Sequence, residues 1–167
     1  MIIKKHIQIT LCDLNNKYNN ALSTNQNDAI YFSKLALLEY CGWIEECFDI
    51  VVRRASKGKL KTVEFERLIT EVIDNNYGFQ YKQHLRSMLI KTIGLDKTEK
   101  IELNLNKNGD ITVFTSELSA IKKDRNSAAH TWVKGATKSY PAPSITLGRL
   151  QKVYPIIKKL YSEVCKL

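Results

Sequence analysis

Of the three histidines in the chain, His6, His84 and His130, only His130 has an arginine and an amide close by, in Lys123-Asp124-Arg125-Asn126-Ser127-Ala128-Ala129-His130. Arg125 falls on a helical stripe otherwise made of Leu118, Ile121, Ala128 and Trp132. A guanidinium on such a stripe cannot stay buried and unpaired, because desolvating a lone charge is costly. It must pair with an acid, lie at a subunit interface, or line a cleft where its planar fork meets an anion such as phosphate bidentately. Ala128 and Ala129 are small enough to leave room for a cleft or for a close helix partner. The plainer alternative is a solvent-exposed arginine and histidine on one helix, since the Arg-x4-His spacing arises often by chance.

Helical phase constrains these residues further. Asn126 and His130 are four apart and share a face, whereas Arg125 and His130 are five apart and diverge by about 140°. One straight helix cannot aim both at one spot. Either the helix breaks between them, or Arg125 curls round, or a second copy of the chain brings two such sets together across a two-fold axis.

Other local chemistries lack their signatures. There is no glycine-rich phosphate loop, GxSxG elbow, HExxH or paired CxxC. Cys12, Cys41, Cys47 and Cys165 have no histidines placed to complete a zinc set, so no metal or cofactor is expected. Glu39, Glu46 and Arg53 recur every seven residues, and Asp49 and Arg53 stand four apart. A polar seam with an ion pair accounts for them more simply than a catalytic carboxylate line, which leaves Glu46 a distant candidate. His6 and His84 are expected to be helix-surface or structural residues.

The elements that must position these residues read as helices. Ile3, Ile7, Leu11, Leu14 and Tyr18 give a first helix from about Ile2 to Leu22. A cap-rich polar stretch, 23–28, precedes a long helix from Ala29 to about Ser56, apolar on most sides. Lys57-Gly58-Lys59 ends it, and Thr62 is expected to cap a third helix. A fourth covers Tyr81 to Ile93 with Gly94 as its stop. The stretch from Asp96 to Asp110 reads as a loop, with a short hairpin around Asn108-Gly109 as the alternative. Another helix follows from about Ser116 and carries Arg125. Pro141 and Pro143 interrupt regular structure between Gly135 and Ser144, and a last helix runs from Ile145 to Leu167, with Pro155 expected to kink or divide it.

Composition sets the class. The chain has 167 residues, which suits one domain, and its 44% hydrophobic content is enough to build a core. A net charge of +9 attracts polyanions and fits, without demanding, RNA or DNA. No run reaches the ~18 apolar residues needed to span a bilayer, and the first residues lack a secretory h-region. With free cysteines on an apolar helix, the expectation is a reduced, cytoplasmic protein that makes no membrane contact.

Several stretches together resemble the HEPN superfamily, and within it the small stand-alone bacterial domains of the RiboL-PSP-HEPN type. These are Ala36-Leu37-Leu38-Glu39-Tyr40-Cys41-Gly42-Trp43-Ile44-Glu45, His84-Leu85-Arg86 with Ile93-Gly94-Leu95, and Arg125-Asn126-Ser127-Ala128-Ala129-His130-Thr131. Lys134-Gly135-Ala136-Thr137 and Ala142-Pro143-Ser144-Ile145-Thr146 look like the family's segment between motif and final helix. The resemblance implies an all-α, HEPN-type bundle of about five or six helices, dimerising through the motif region and cutting RNA without metal. Arg125, His130 and Asn126 would be the catalytic residues. His130 would act as base or acid in attack of the ribose 2′-hydroxyl on the adjacent phosphate. Arg125 would neutralise the phosphorane, and Asn126 would orient His130 or contact phosphate. No role follows for Ser127 or Glu46.

The implied setting is a toxin or defence ribonuclease, with RNA as substrate, a second copy as partner, and an antitoxin or other defence protein as a further partner. Some members carry a modified tyrosine two positions after the histidine. Trp132 stands there in this chain, so that mode of control is not expected. The competing readings are a non-catalytic HEPN module that binds RNA, a nucleotide or a partner protein, and a helical adaptor whose basic charge is incidental.

Overall fold

The structure, a computed structural model, describes residues 1–129 and 138–167. Among them it is all-α: α1 (Lys5–Ala21), α2 (Gln26–Ser56), α3 (Val63–Asp74), a π-helical turn (Tyr81–Leu85), α4 (Arg86–Ile93), α5 (Leu95–Asn106), α6 (Asp110–Ala129) and α7 (Pro143–Cys165). The described residues divide into two compact units. The first is Met1–Ile2, Ile44–Ser119 and Pro155–Leu167, and the second is Ile3–Trp43 and Ala120–Tyr154. The division falls inside α2, α6 and α7.

In the first unit the core is built on Phe48, Val51 and Val52 of α2, Leu85 and Leu89 around the start of α4, Phe114 and Leu118 of α6, and Leu160 of α7, all fully buried or nearly so. Phe114 is its aromatic hub, meeting Phe48 edge-on at 6.1 Å and Tyr81 at 5.7 Å between ring centroids. In the second unit α1 contributes Ile7, Leu11 and Leu14, α2 contributes Leu37, Tyr40 and Cys41, α6 contributes Ile121 and Ala128, and α7 contributes Leu150 and Val153. There the Trp43 indole N–H donates to the Ile3 carbonyl at 3.1 Å, fastening the N-terminal strip to α2.

The termini of these helices follow backbone chemistry. Asn25 accepts the Asn27 N–H on its side chain at 3.1 Å, which starts α2 three residues before the expected Ala29. Gly58 ends α2 with φ +75°, as the Lys57-Gly58-Lys59 reading anticipates. Thr62 occupies the N-cap of α3 in an extended conformation, but its hydroxyl makes no capping bond, contrary to expectation. Pro143 opens α7, where a missing N–H costs nothing. The helix is not divided at Pro155; it runs on to Cys165.

The largest departure from the sequence reading is the stretch from Asp96 to Asp110. It is neither a loop nor a hairpin: α5 covers Leu95–Asn106 and α6 already begins at Asp110, ahead of the expected Ser116. Ile101, Leu103 and Leu105 alternate like a strand, yet Leu103 is 62% exposed while Thr98, Ile101 and Leu105 are buried. Spacings of three and four, not two, decide the burial. The Asn108-Gly109 pair makes a turn between two helices, with Gly109 at φ +72°.

The fourth helix also differs in detail. Its first turn, Tyr81–Leu85, is π-helical before α4 continues from Arg86. His84 lies on that turn, with its Nδ1 3.0 Å from the Gln80 backbone nitrogen and 3.3 Å from the Gln80 carbonyl oxygen. The ring packs so close to Gly78, at φ +153°, that a Cβ there would lie 2.5 Å from Nε2. His84 is therefore structural, and His6 is exposed on α1.

Candidate functional site

The last turns of α6 carry the expected site. Phe114, Leu118, Ile121, Arg125 and Ala128 follow one another at spacings of four, three, four and three, and all but Arg125 are buried. Such alternation is the seam by which one helix packs on another, and Arg125 interrupts it. Arg125 is half-buried and takes part in a polar or electrostatic contact, as the cost of burying a guanidinium requires.

One residue further round the helix Asn126 is exposed, and Ser127 is half-buried. The two therefore sit at different depths on α6, with Asn126 open to a ligand. His130, Trp132 and the 134–137 segment lie outside the described residues; of the three expected catalytic residues the structure describes two, with Arg125 in the seam of α6 and Asn126 on its exposed side.

Asp124, the acid nearest Arg125 in sequence, is half-buried and pairs with Lys138 at 3.6 Å. Lys138 in turn lies 5.7 Å from the centre of the Tyr140 ring. Sequence reasoning passed over this pair because its members stand fourteen residues apart with no periodicity to link them. It gives Asp124 a partner of its own and ties the chain before α7 to the end of α6.

A second cluster missed in the sequence is the buttress of the first unit. Arg86 forks onto Glu102 with Nε–Oε1 2.5 Å and Nη2–Oε2 2.7 Å, and the Tyr81 hydroxyl donates to the same carboxylate at 2.8 Å. Burial first, and then the Glu102 carboxylate, push the Tyr81 phenol well above its usual range. The hydrogen bonds that Arg86 donates to Glu102 likewise raise its guanidinium. A phenol and guanidinium held in their protonated forms cannot serve as bases. The cluster joins α5 to the start of α4 and is structural.

The acidic residues of α2 offer little more. Glu39, Glu46 and Arg53 are all exposed, as a solvated seam requires. Asp49 and Arg53 interact through their charges, but the expected ion pair is not formed. Burial, followed by the charge of Glu46, raises the Asp49 carboxyl to about 6; Arg53 lowers it, and Glu45 and Asp74 raise it further. Burial pushes the Cys47 thiol up to about 12, with Glu46 adding to the effect, which makes it a buried apolar group and not a nucleophile. Among the described residues no group of three or more His, Cys, Asp or Glu could hold a metal ion, and no helix is long and apolar enough to cross a membrane.

No family model, curated protein or solved structure matches the chain.

Proposed function

We propose that the chain is a metal-independent endoribonuclease of the HEPN type, working as a homodimer in a toxin or defence setting. The observation that supports this most is the half-buried Arg125 in phase with the apolar seam of α6, followed directly by the exposed Asn126. His130 comes four positions after Asn126 in the sequence. The net charge of +9 suits a polyanionic substrate.

In the proposed reaction His130 of one copy takes the proton of a ribose 2′-hydroxyl as its oxygen attacks the adjacent phosphorus. The bond from phosphorus to the 5′-oxygen breaks, and that oxygen takes a proton from His130 of the second copy. The products are a cyclic phosphate and a 5′-hydroxyl. Arg125 neutralises the charge gathering on the phosphorane, and Asn126 orients His130 or contacts the phosphate. DNA has no 2′-hydroxyl and is left intact.

The test is incubation of the purified chain with total tRNA and with mRNA in EDTA. Cleavage of RNA but not of the corresponding DNA is expected. Arg125→Ala should lower the rate roughly 10²–10³-fold, and His130→Ala by roughly 10²–10⁴-fold, with helix content unchanged. Intact RNA, or variants that cut as fast as the wild type, would remove the enzymatic reading and leave a binding module.

A further inference from the structure

Between the end of α2 and α3 the first unit holds a groove of 350 Å³ lined by Arg53, Ser56, Lys57, Leu60, Glu66 and Thr70, among others. Around it the sequence Arg53-Arg54-Ala55-Ser56-Lys57-Gly58-Lys59-Leu60-Lys61 places five cations in nine residues. Two of these have an ordinary explanation, because Arg53 and Arg54 occupy the last turn of α2 and complement its dipole. The three lysines beyond the helix end do not.

The density of like charge sets this cluster apart, not the want of ion pairs alone, since exposed Lys82, Lys91 and Lys158 also pair with no described carboxylate. Elsewhere Lys17, Arg67, Arg86, Lys138, Lys159 and Lys166 each pair with a carboxylate. Lys57, Lys59 and Lys61 are exposed and form no ion pair with any described carboxylate, nor does Lys97 on α5. The chain instead gathers like charges there. Partial burial, then Lys97 and Arg54, hold the Lys59 ammonium below its usual range. Glu66 is the one acid on the groove wall, against Arg53 and Lys57.

Unpaired cations held close together lose energy by mutual repulsion, and an added anion recovers it. The spacing matters as well. Lys57, Lys59 and Lys61 alternate along the connection around Gly58, which has φ +75°. Three exposed lysines spread over five residues offer several phosphate contacts, which suits successive phosphates of one strand better than a single small anion. Exposed Phe65 on α3, next to the groove residue Glu66, offers a ring on which a base can stack.

We infer that Lys57, Lys59, Lys61 and Lys97, with the groove between α2 and α3, form a docking site for the phosphate backbone of single-stranded RNA, separate from the Arg125 motif. The identity of the strand as RNA rests on the ribonuclease reading; the anion-binding role of the cluster does not. The site supplies affinity and register without taking part in bond cleavage.

The test uses the full chain and a fluorescein-labelled 20-nucleotide 2′-O-methyl uridine strand, which cannot be cut because its 2′-oxygen is blocked. Anisotropy titrations are run between about 50 and 200 mM salt, the range over which phosphate contacts show themselves. Lys57→Ala, Lys59→Ala and Lys61→Ala together are compared with Lys82→Ala, Lys91→Ala and Lys158→Ala, which remove the same charge from exposed positions elsewhere. The first triple variant should weaken binding at least about tenfold and reduce the salt slope by about 2, at about 0.7 per phosphate on a single strand. The second should change it less than about threefold.

Equal weakening in both triple variants would mean that net charge alone is at work and overturns the site. So would wild-type binding by the first variant, or a wild-type chain that binds phosphatidylserine vesicles and not the strand. Because no cleavage is involved, the expected binding result in a chain that fails to cut RNA keeps the docking site and removes the catalytic reading. Efficient cutting by a chain whose binding ignores these lysines does the reverse.

Discussion

Arg125 shows how much one side chain on a helix constrains the reading. On a seam of Phe114, Leu118, Ile121 and Ala128 a leucine would pack without cost, so a guanidinium there must meet a group that repays its desolvation. Asp49 presents the opposite case, a carboxylate with too little to hold its charge. Its carboxyl is raised to about 6 from a usual 3.8, so the folded chain binds a proton more tightly than the unfolded one. The stability this contributes is fully present below about pH 4 and is lost as pH rises towards 6. At pH 7 the charged form is a burden, and Asp49→Asn should stabilise the fold by about 1 kcal/mol after allowance for solvent screening at a half-exposed site. At pH 3.5 both chains carry a neutral group and should unfold at the same urea concentration. An equal gain at both pH values would show that charge is not the cause.

At the scale of elements, α5 is the instructive one. Ile101-Glu102-Leu103-Asn104-Leu105 alternates apolar and polar residues, and a strand would place all three apolar side chains on one face. The helix buries Ile101 and Leu105 and turns Leu103 to solvent. Leu105→Ala should therefore cost about 2–5 kcal/mol, whereas Leu103→Lys should stay within about 0.5 kcal/mol. Chemical denaturation of the two variants settles it, and a Leu103→Lys chain as unstable as Leu105→Ala would contradict the helix.

The same comparison shows what the sequence made legible. α1, α2, α3 and α7 were readable because their apolar residues recur at three and four over many turns. α5 was not, because five residues with a two-residue alternation carry no information about the wider packing that chooses between helix and strand. The Arg86–Glu102–Tyr81 buttress was lost with it, since its acid sat in an assumed loop. Arg125 was legible as a misfit on an apolar stripe. The Asp124–Lys138 pair was not, because a contact between residues fourteen apart in sequence leaves no periodic trace.

For the molecule as a whole, two features bear on the proposed activity: a charge of +9 and the five-residue separation of Arg125 and His130 in sequence, which a single straight helix could not aim at one spot. In the reading we propose, a cleft shared between two copies would resolve the second, and activity would then depend on assembly. Specific activity should fall on dilution in step with the dimer fraction measured by light scattering. A rate per chain that stays constant where only monomer of 19.2 kDa remains would count against a shared cleft.

If, as we propose, the chain cuts RNA by 2′-hydroxyl attack with His130 as proton carrier and no metal, the ends of RNA incubated with the purified chain in EDTA carry the signature. Mapped for wild type beside His130→Ala, fragments with cyclic phosphate and 5′-hydroxyl ends are expected from the wild type alone. Fragments bearing 5′-phosphates, the same fragments from His130→Ala, or no cleavage at all would contradict the proposal.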